Sequence, residues 1–365
     1  MNPSATAREV WNEFCDELKT AGSILEDPAT PTDAVTQAEG VRFLARVIAV
    51  GLEVGLDHAD TEHPWVFLAR TPTKLTGGVT PDCIYHESFI DGSRSYRIRG
   101  TRGSAPMVEI GVYAGKLGLQ RESRLIGQVL ETDLNVDASG TFEILLSPDA
   151  SRAPDILLEP DASYIYIRNY ASDWTQVVPA QFEITCEGVE SPPEPLGLAQ
   201  LRIGLQRAAR YVQEMPAYFA TTIAWNEKRA TNTIVPIDPD QSTSMPGGHR
   251  LACGYFRLAD GQSLVVSFRP EPAPYWSLGL CNFWMEPLDW RWRPSSVNVA
   301  SAVRDADGSV RVTIGPDRPV SGNWLDTGGH PEGLINFRWA RTSTPLPEIH
   351  TELVHEEAST GRKTT

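Results

Sequence analysis

Five side chains stand where they could move protons. They are Asp82 and Tyr85 in TPDCIYHE, Glu286 at the end of YWSLGLCNFWME, and Asp326 and His330 in NWLDTGGHPEG. A carboxylate near a phenol or an imidazole supplies the acceptor and donor that general acid/base chemistry needs. A carboxylate among indoles is also discouraged from ionising, because desolvation disfavours its charged form, and this would suit Glu286 to the role of general acid. Asp326 and His330 could act as a base and its orienting partner across a turn freed by Gly328 and Gly329 and fixed by Pro331. Groups suited to holding a ligand lie around them: Trp276, Asn282, Trp284, Asn323 and Trp324, with Arg102 and His249 from other segments. Six of the ten tryptophans fall between Tyr275 and Trp339. Aromatic walls with a few aimed polar groups fit a partly apolar cleft. They equally fit a packed β-core whose indole N–H groups find partners.

Each residue also has a purely structural role open to it. Asn323 and Asp326 can satisfy the backbone of their own turn, Glu286 can reach water from a strand end, and Asp82 and Tyr85 can belong to a loop clasped by an Asx-turn. Arg102 follows the strand-like YRIRG and could grip a carboxylate or sulfate through its planar fork, whereas Arg97 and Arg99 share a wet strand face with acidic partners. His249 precedes a strand and could reach a ligand or remain half exposed. No two histidines have convincing metal-ligand spacing, and the five cysteines form no C-x-x-C pair, so neither a metal site nor a disulfide framework is expected. G-x-S-x-G, Walker and G-x-G-x-x-G elements are absent, which leaves nucleotide cofactors without support.

The elements that must position these groups are mostly strands. Alternation along WSLGLCNFWME places Trp276, Leu278, Leu280, Asn282, Trp284 and Glu286 on one face, and small or apolar residues on the other. Segments such as SYRIRG, MVEIGVYAG, TFEILLSP, SYIYIRNYA and QFEITCE read as successive strands between Gly/Pro turns, the pattern of a sandwich or jelly roll. DADGS joins two alternating runs as a hairpin would. Residues 5–21 predict an amphipathic helix with Val10, Trp11, Phe14 and Leu18 on one face. A second helix capped by Thr30 predicts a core stripe of Val41, Leu44, Val47, Ile48 and Leu52, and a third follows ESPPEPLG until Pro216 ends or kinks it.

The expected fold is therefore mainly β with helical additions: two jelly-roll or sandwich-like antiparallel β-domains, each preceded by helices. The boundaries are a helical segment at 1–75, a first β-domain at 76–190, a linker and connecting helix at 191–230, a second β-domain at 231–345 and a flexible tail at 346–365. No repeat is visible residue by residue. A length of 365 residues suits two cores. A net charge of −15, scattered rather than blocked, argues against nucleic acid and anionic membranes as partners. No secretory signal or spanning segment is evident, and the dispersed cysteines read as free thiols, so the expected location is the cytoplasm.

The motifs YWSL from Tyr275, DGS from Asp307 and NWLDTGGHPEG from Asn323 resemble the bacterial domain-of-unknown-function 1214 family over roughly the last hundred residues. Relatives tend to follow NWL with a proline-containing turn, whereas here Asp326 to Gly329 intervene before Pro331. PDCIYHESFIDGSRSYRIRGTRGS is similar to the N-terminal region of longer actinobacterial relatives. The resemblance implies jelly-roll-like β-domains and leaves the reaction open. The residues themselves predict a small-molecule enzyme without metal or nucleotide cofactor, acting by acid/base chemistry on an apolar alcohol or glycoside as a hydrolase or lyase. The alternatives are a non-catalytic module for a carbohydrate- or lipid-like ligand, and a scaffold. A homo-oligomer is compatible with each.

Overall fold

The computed structural model describes residues 6–120, 123–238 and 247–355. They divide into two compact units, the first ending at Ala220 and the second beginning at Thr221.

Helix α1 (Ala7–Ala21) starts with a reciprocal cap: Thr6 Oγ1 accepts from Glu9 N at 3.3 Å while Glu9 Oε2 accepts from Thr6 N at 2.7 Å. Its buried face carries Val10 and Phe14 and meets Leu205, Ala208 and Ala209 of α3 (Leu198–Ala230), but Trp11, expected on that face, is 59% exposed. Helix α2 (Ala34–Leu52) is capped by Asp33 rather than Thr30, since the Asp33 carboxylate accepts from the N–H groups of both Val35 and Thr36. Its buried stripe is Phe43, Val47 and Val50, while Val41 lies exposed. A Cβ on Gly55 would come within 2.5 Å of the Ala208 nitrogen, so the crossing of this chain segment with α3 requires a glycine there. Helix α2 runs directly into a π-helical turn, Glu53–Asp57, a rare geometry frequent at functional sites. Pro216 does not end α3; buried Tyr211, Val212, Met215 and Phe219 on either side of it hold the helix in place despite the lost hydrogen bond.

The first unit contains strands β1 (Phe67–Leu68), β2 (Cys83–Phe89), β3 (Tyr96–Thr101), β4 (Met107–Ala114), β5 (Arg124–Leu130), β6 (Thr141–Ser147), β7 (Ile156–Leu157), β8 (Ala162–Tyr170) and β9 (Gln181–Cys186). The second contains β10 (Ile234–Pro236), β11 (Arg250–Arg257), β12 (Gln262–Phe268), β13 (Tyr275–Cys281), β14 (Ser296–Asn298), β15 (Val310–Gly315), β16 (Asn323–Asp326), β17 (Glu332–Ala340) and β18 (Ile349–His355). Sheet orders are β1-β2-β8-β4-β5 and β7-β6-β3-β9 in the first unit, and β10-β11-β17-β13-β14 and β16-β15-β12-β18 in the second. Adding nine to each strand number converts one unit into the other. The chain therefore carries one topology twice, which no residue-level repeat betrays.

In each unit the inward faces of the two sheets enclose one apolar core. In the first it includes Ile98, Ile110, Phe142 and Ile167; in the second, Val266, Phe268, Phe337 and Trp339. The fold is mainly β and sandwich-like. Pairing is antiparallel except at two sheet edges, where β6 with β7 and β15 with β16 run parallel.

Four expectations are corrected. TPDCIYHE is not a loop: its CIYHE belongs to β2, because Tyr85 and Glu87 face one side of the sheet and His86 the other. Strand β13 stops at Cys281, so the alternation does not carry Asn282, Trp284 and Glu286 onto a common strand face. The DADGS turn exists, but its flanks meet only through an Arg304–Val310 bridge, because β14 pairs with β13 instead. The segment expected as a flexible tail from 346 contains a strand, since Ile349–His355 forms β18 and completes the edge of β12 by pairing Gln262 through Phe268; residues beyond His355 lie outside the described residues.

Candidate functional site

The tryptophan-rich motif spends most of its polar groups on its own backbone. After β13 the chain turns back on itself, with Asn282 Oδ1 accepting from the N–H groups of Trp284 and Glu286, each at 3.0 Å. Met285 takes a positive φ of 56° there. Glu286 is 1% exposed, and Asn282 Nδ2 donates to its Oε2 at 3.4 Å. Trp284 is buried edge-on against Phe283. Trp276, expected on a ligand face, is a core residue packed edge-on to Phe268 at 5.2 Å; burial of the whole strand, not cleft formation, explains its indole. Asn323 holds Val303 by two hydrogen bonds and Arg311 O by a third, and Trp324 Nε1 donates to Gly315 O. Asp326 pairs with Arg293 at 2.8 Å and accepts from Gly328 N, while His330 Nδ1 donates to Thr327 O at 2.7 Å. Asp326 and His330 thus share a loop but each has a separate structural partner. His249 is buried at the start of β11, its carbonyl accepting from Arg250 Nη1, and Arg102 pins its own turn through Ala105 O.

The first unit assembles a different constellation. Strand β4 is buried at all eight positions, so the five-stranded sheet is covered on both faces. One face is the aliphatic core. The cross-strand register puts Tyr85, Glu87, Glu109, Tyr113, Tyr164, Tyr166 and Arg168 on the other. There Lys116 Nζ donates to Glu87 Oε1 at 2.6 Å, and Arg70 Nη1 lies 3.9 Å from the same oxygen. Lys116 is held by the turn Lys116–Gln120, in which its own N–H donates to Gln120 Oε1 and its carbonyl accepts from the N–H groups of Leu119 and Gln120. Gly118 allows that turn through a φ of 86°, and a Cβ there would strike Tyr211 of α3 at 2.6 Å. The ammonium sits 4.7 Å from the Tyr164 ring centroid, a cation–π distance, and the Arg168 guanidinium lies 4.5 Å from that of Tyr166. Arg168 also donates to the Tyr113 hydroxyl at 2.9 Å.

Burial dominates the electrostatics of this face. It pulls the Lys116 ammonium below the ordinary lysine range; the Glu87 carboxylate opposes that shift and Arg70 adds to it. Burial pushes the phenols of Tyr164 and Tyr166 up, and that of Tyr211 to about 12. His58, just after the π-helical turn, is lowered by burial against the opposing charges of Glu53, Asp57 and Glu87, and its ring stacks on Phe67 at 3.9 Å. Beside it Lys74 pairs with Glu53 at 2.6 Å. Glu87 is 1% exposed, yet its Oε2 has no hydrogen-bond partner among the described residues. A buried carboxylate oxygen without a donor is costly and requires an explanation. Of the sequence candidates, Tyr85 belongs to this face: its ring stacks on Tyr166 at 5.7 Å and its hydroxyl accepts from Thr80 N. Asp82 is buried at the entrance to β2, its carbonyl accepting from Ala171 N.

His86 points the opposite way, edge-on to Phe182, and its Nδ1 has no partner among the described residues. Burial lowers it from 6.5 to about 4. Between these values the unfolded chain binds more protons than the folded one, so stability is complete above about pH 6.5 and falls as pH drops toward 4. The loss approaches about 3 kcal/mol. Urea melts at pH 7 and pH 4 are expected to show His86→Phe losing that much less than the wild type, and an unchanged difference would refute the assignment.

Glu87, Arg168 and the tyrosines other than Tyr85 are hidden in the sequence because their strands alternate as half-wet strands do, and Arg70 and Lys116 because they lie in connecting segments. The available signal was residue type: SYIYIRNY alternates Ile165 and Ile167 with Tyr164, Tyr166 and Arg168, where a wet face would carry threonine, lysine or serine. Among the described residues no group of three or more His, Cys, Asp or Glu could hold a metal ion, and no helix is long and apolar enough to cross a membrane.

The family described as protein of unknown function (DUF1214) matches residues 257–341. The whole chain is similar to the crystal structure of an uncharacterized protein from Burkholderia cenocepacia, with a TM-score of 0.90 and 32% identity over 95% of this chain and 97% of that one. The VPA0106 protein from Vibrio parahaemolyticus gives a TM-score of 0.46 at 9% identity, covering 91% of this chain and 99% of that one, too remote to carry inference. No curated protein matches.

Proposed function

The chain belongs to the DUF1214 family, and from its own residues we propose that it is a small-molecule acid/base enzyme, of hydrolase or lyase type, working through Glu87 and Lys116. The observation that carries this reading is the unpartnered, buried Oε2 of Glu87, whose other oxygen is held 2.6 Å from the Lys116 ammonium. A water would satisfy Oε2 and lose its proton to it as its oxygen bonds to the substrate carbon and that carbon's bond to the leaving oxygen breaks. Lys116, with its lowered proton affinity, would protonate the departing group, and the proton on Glu87 would then return to the lysine across their hydrogen bond. Three cations, Arg70, Lys116 and Arg168, face two carboxylates, Glu87 and Glu109, so the surroundings favour the oxyanion that forms as the hydroxyl proton leaves. The tyrosine rings supply apolar walls, which suits a largely apolar alcohol or glycoside.

Turnover of a panel of secondary alcohols and aryl glycosides tests the reading. Glu87→Gln, which keeps the shape of the side chain, is expected to lower kcat by on the order of 10²–10⁴ on any compound the wild type converts. Unchanged turnover in a folded Glu87→Gln protein would remove Glu87 from the mechanism.

A further inference from the structure

We infer that the outer face of the four-stranded sheet in the first unit is a second binding site, for a short neutral oligosaccharide. A cavity of about 720 Å³ opens where β3, β6 and β9 meet the segment around Asn135. That volume falls in the range of small-molecule sites, about 300–1,000 Å³. Its lining mixes what sugars require. Thr101, Asn135, Gln181 and Glu183 all border the cavity. Thr101, Gln181 and Glu183 project from strand backbone, which fixes their positions, and Thr101 lies directly opposite Gln181 in the ladder. Their hydroxyl, amide and carboxylate groups offer donors and acceptors together, as vicinal sugar hydroxyls demand.

The neighbouring charges are already engaged. Arg99 Nε donates to Glu143 Oε2 at 2.7 Å, and Asp137 accepts from Ser139 and Thr141 within its own turn. They shape the walls without competing for ligand. Phe142 and Phe182 alternate with these polar residues along β6 and β9 and turn their rings to the core face, edge-on to each other at 6.0 Å. Gly100 lies opposite both phenylalanines, and a Cβ there would come within 2.7 Å of the Phe142 ring, so the glycine makes room for that ring on the core face. Lining charge also selects. One arginine, Arg99, stands against Asp137, Glu143 and Glu183, an excess of two negative charges that disfavours acidic ligands.

The test is calorimetric titration of the full chain with maltotriose, cellotriose and xylotriose, with trigalacturonic acid and spermidine as charge controls. At least one neutral trisaccharide is expected to bind. Gln181→Ala and Glu183→Ala, both at exposed positions, should each weaken it by about tenfold while the melting temperature holds. Glu87→Gln should leave the affinity unchanged, which separates this site from the proposed catalytic one. The inference is overturned if no neutral trisaccharide binds at up to about 10 mM. It is equally overturned if the two alanine variants bind as the wild type does, if Glu87→Gln abolishes binding, or if spermidine binds at Glu183 and the sugars do not.

Discussion

Lys116→Met is expected to destabilise the protein by about 3–5 kcal/mol, because it strips a buried carboxylate of its nearest cation. Glu87 is 1% exposed and Lys116 lies 2.6 Å from it, so a neutral water in the lysine's place would leave the buried carboxylate's charge uncompensated. Arg70, 3.9 Å away and already donating to Ala69 O and Thr76 O, is poorly placed to compensate. The double variant Lys116→Met/Glu87→Gln should recover most of the loss, since no uncompensated charge remains. Urea unfolding of the wild type, both single variants and the double variant measures the coupling. A single-variant cost below about 1 kcal/mol would place the pair among solvent-exposed ion pairs and contradict the account.

Trp339→Ala is expected to cost a similar amount, about 3–5 kcal/mol, for a different reason. Trp339 is 1% exposed, with its ring centroid 4.0 Å from Phe337 and 6.1 Å from Phe268, so truncation opens a void at the centre of the second sandwich. Its Nε1 has no hydrogen-bond partner among the described residues. Trp339→Phe removes that buried donor along with part of the ring, and should therefore recover about half of the alanine variant's loss. Urea unfolding decides it: equal losses for the two substitutions would mean that ring volume is not what the site requires.

Much of the architecture was legible in the sequence because strand alternation is a strong signal. The strand-like SYRIRG, TFEILLSP and QFEITCE became β3, β6 and β9, and Ile98, Ile144 and Ile184 fill the core as their spacing dictates. Strand β18 was not legible, since IHTELVH is exposed or half-buried throughout and edge strands need little apolar periodicity. The duplicated topology would have supplied it: a strand that follows β8 and pairs with β3 implies one that follows β17 and pairs with β12.

The site was harder for a physical reason. Asn282, Asn323 and Asp326 are polar residues among tryptophans, which resembles a cleft, but amides and carboxylates at turns also close backbone rings, and here they do. Glu87 and Lys116 are 29 residues apart and meet because β2 and β4 flank β8 in the sheet while the Lys116–Gln120 turn after β4 folds over it. Their spacing along the chain carries no trace of that meeting. Tyr85 was the one sequence candidate lying on the same strand face.

In the proposed function the tyrosine-lined face of the first unit, and not the tryptophan-rich motif of the second, takes the ligand. A thermal-shift screen of fractionated metabolite extract measures this most directly, run on the wild type and on Glu87→Gln, Glu286→Gln and Asp326→Asn. Fractions that raise the wild-type melting temperature, apart from neutral oligosaccharides acting at the β3–β6–β9 face, should lose their effect on Glu87→Gln and keep it on the other two. Stabilisation retained by Glu87→Gln but lost in Glu286→Gln or Asp326→Asn would contradict the account.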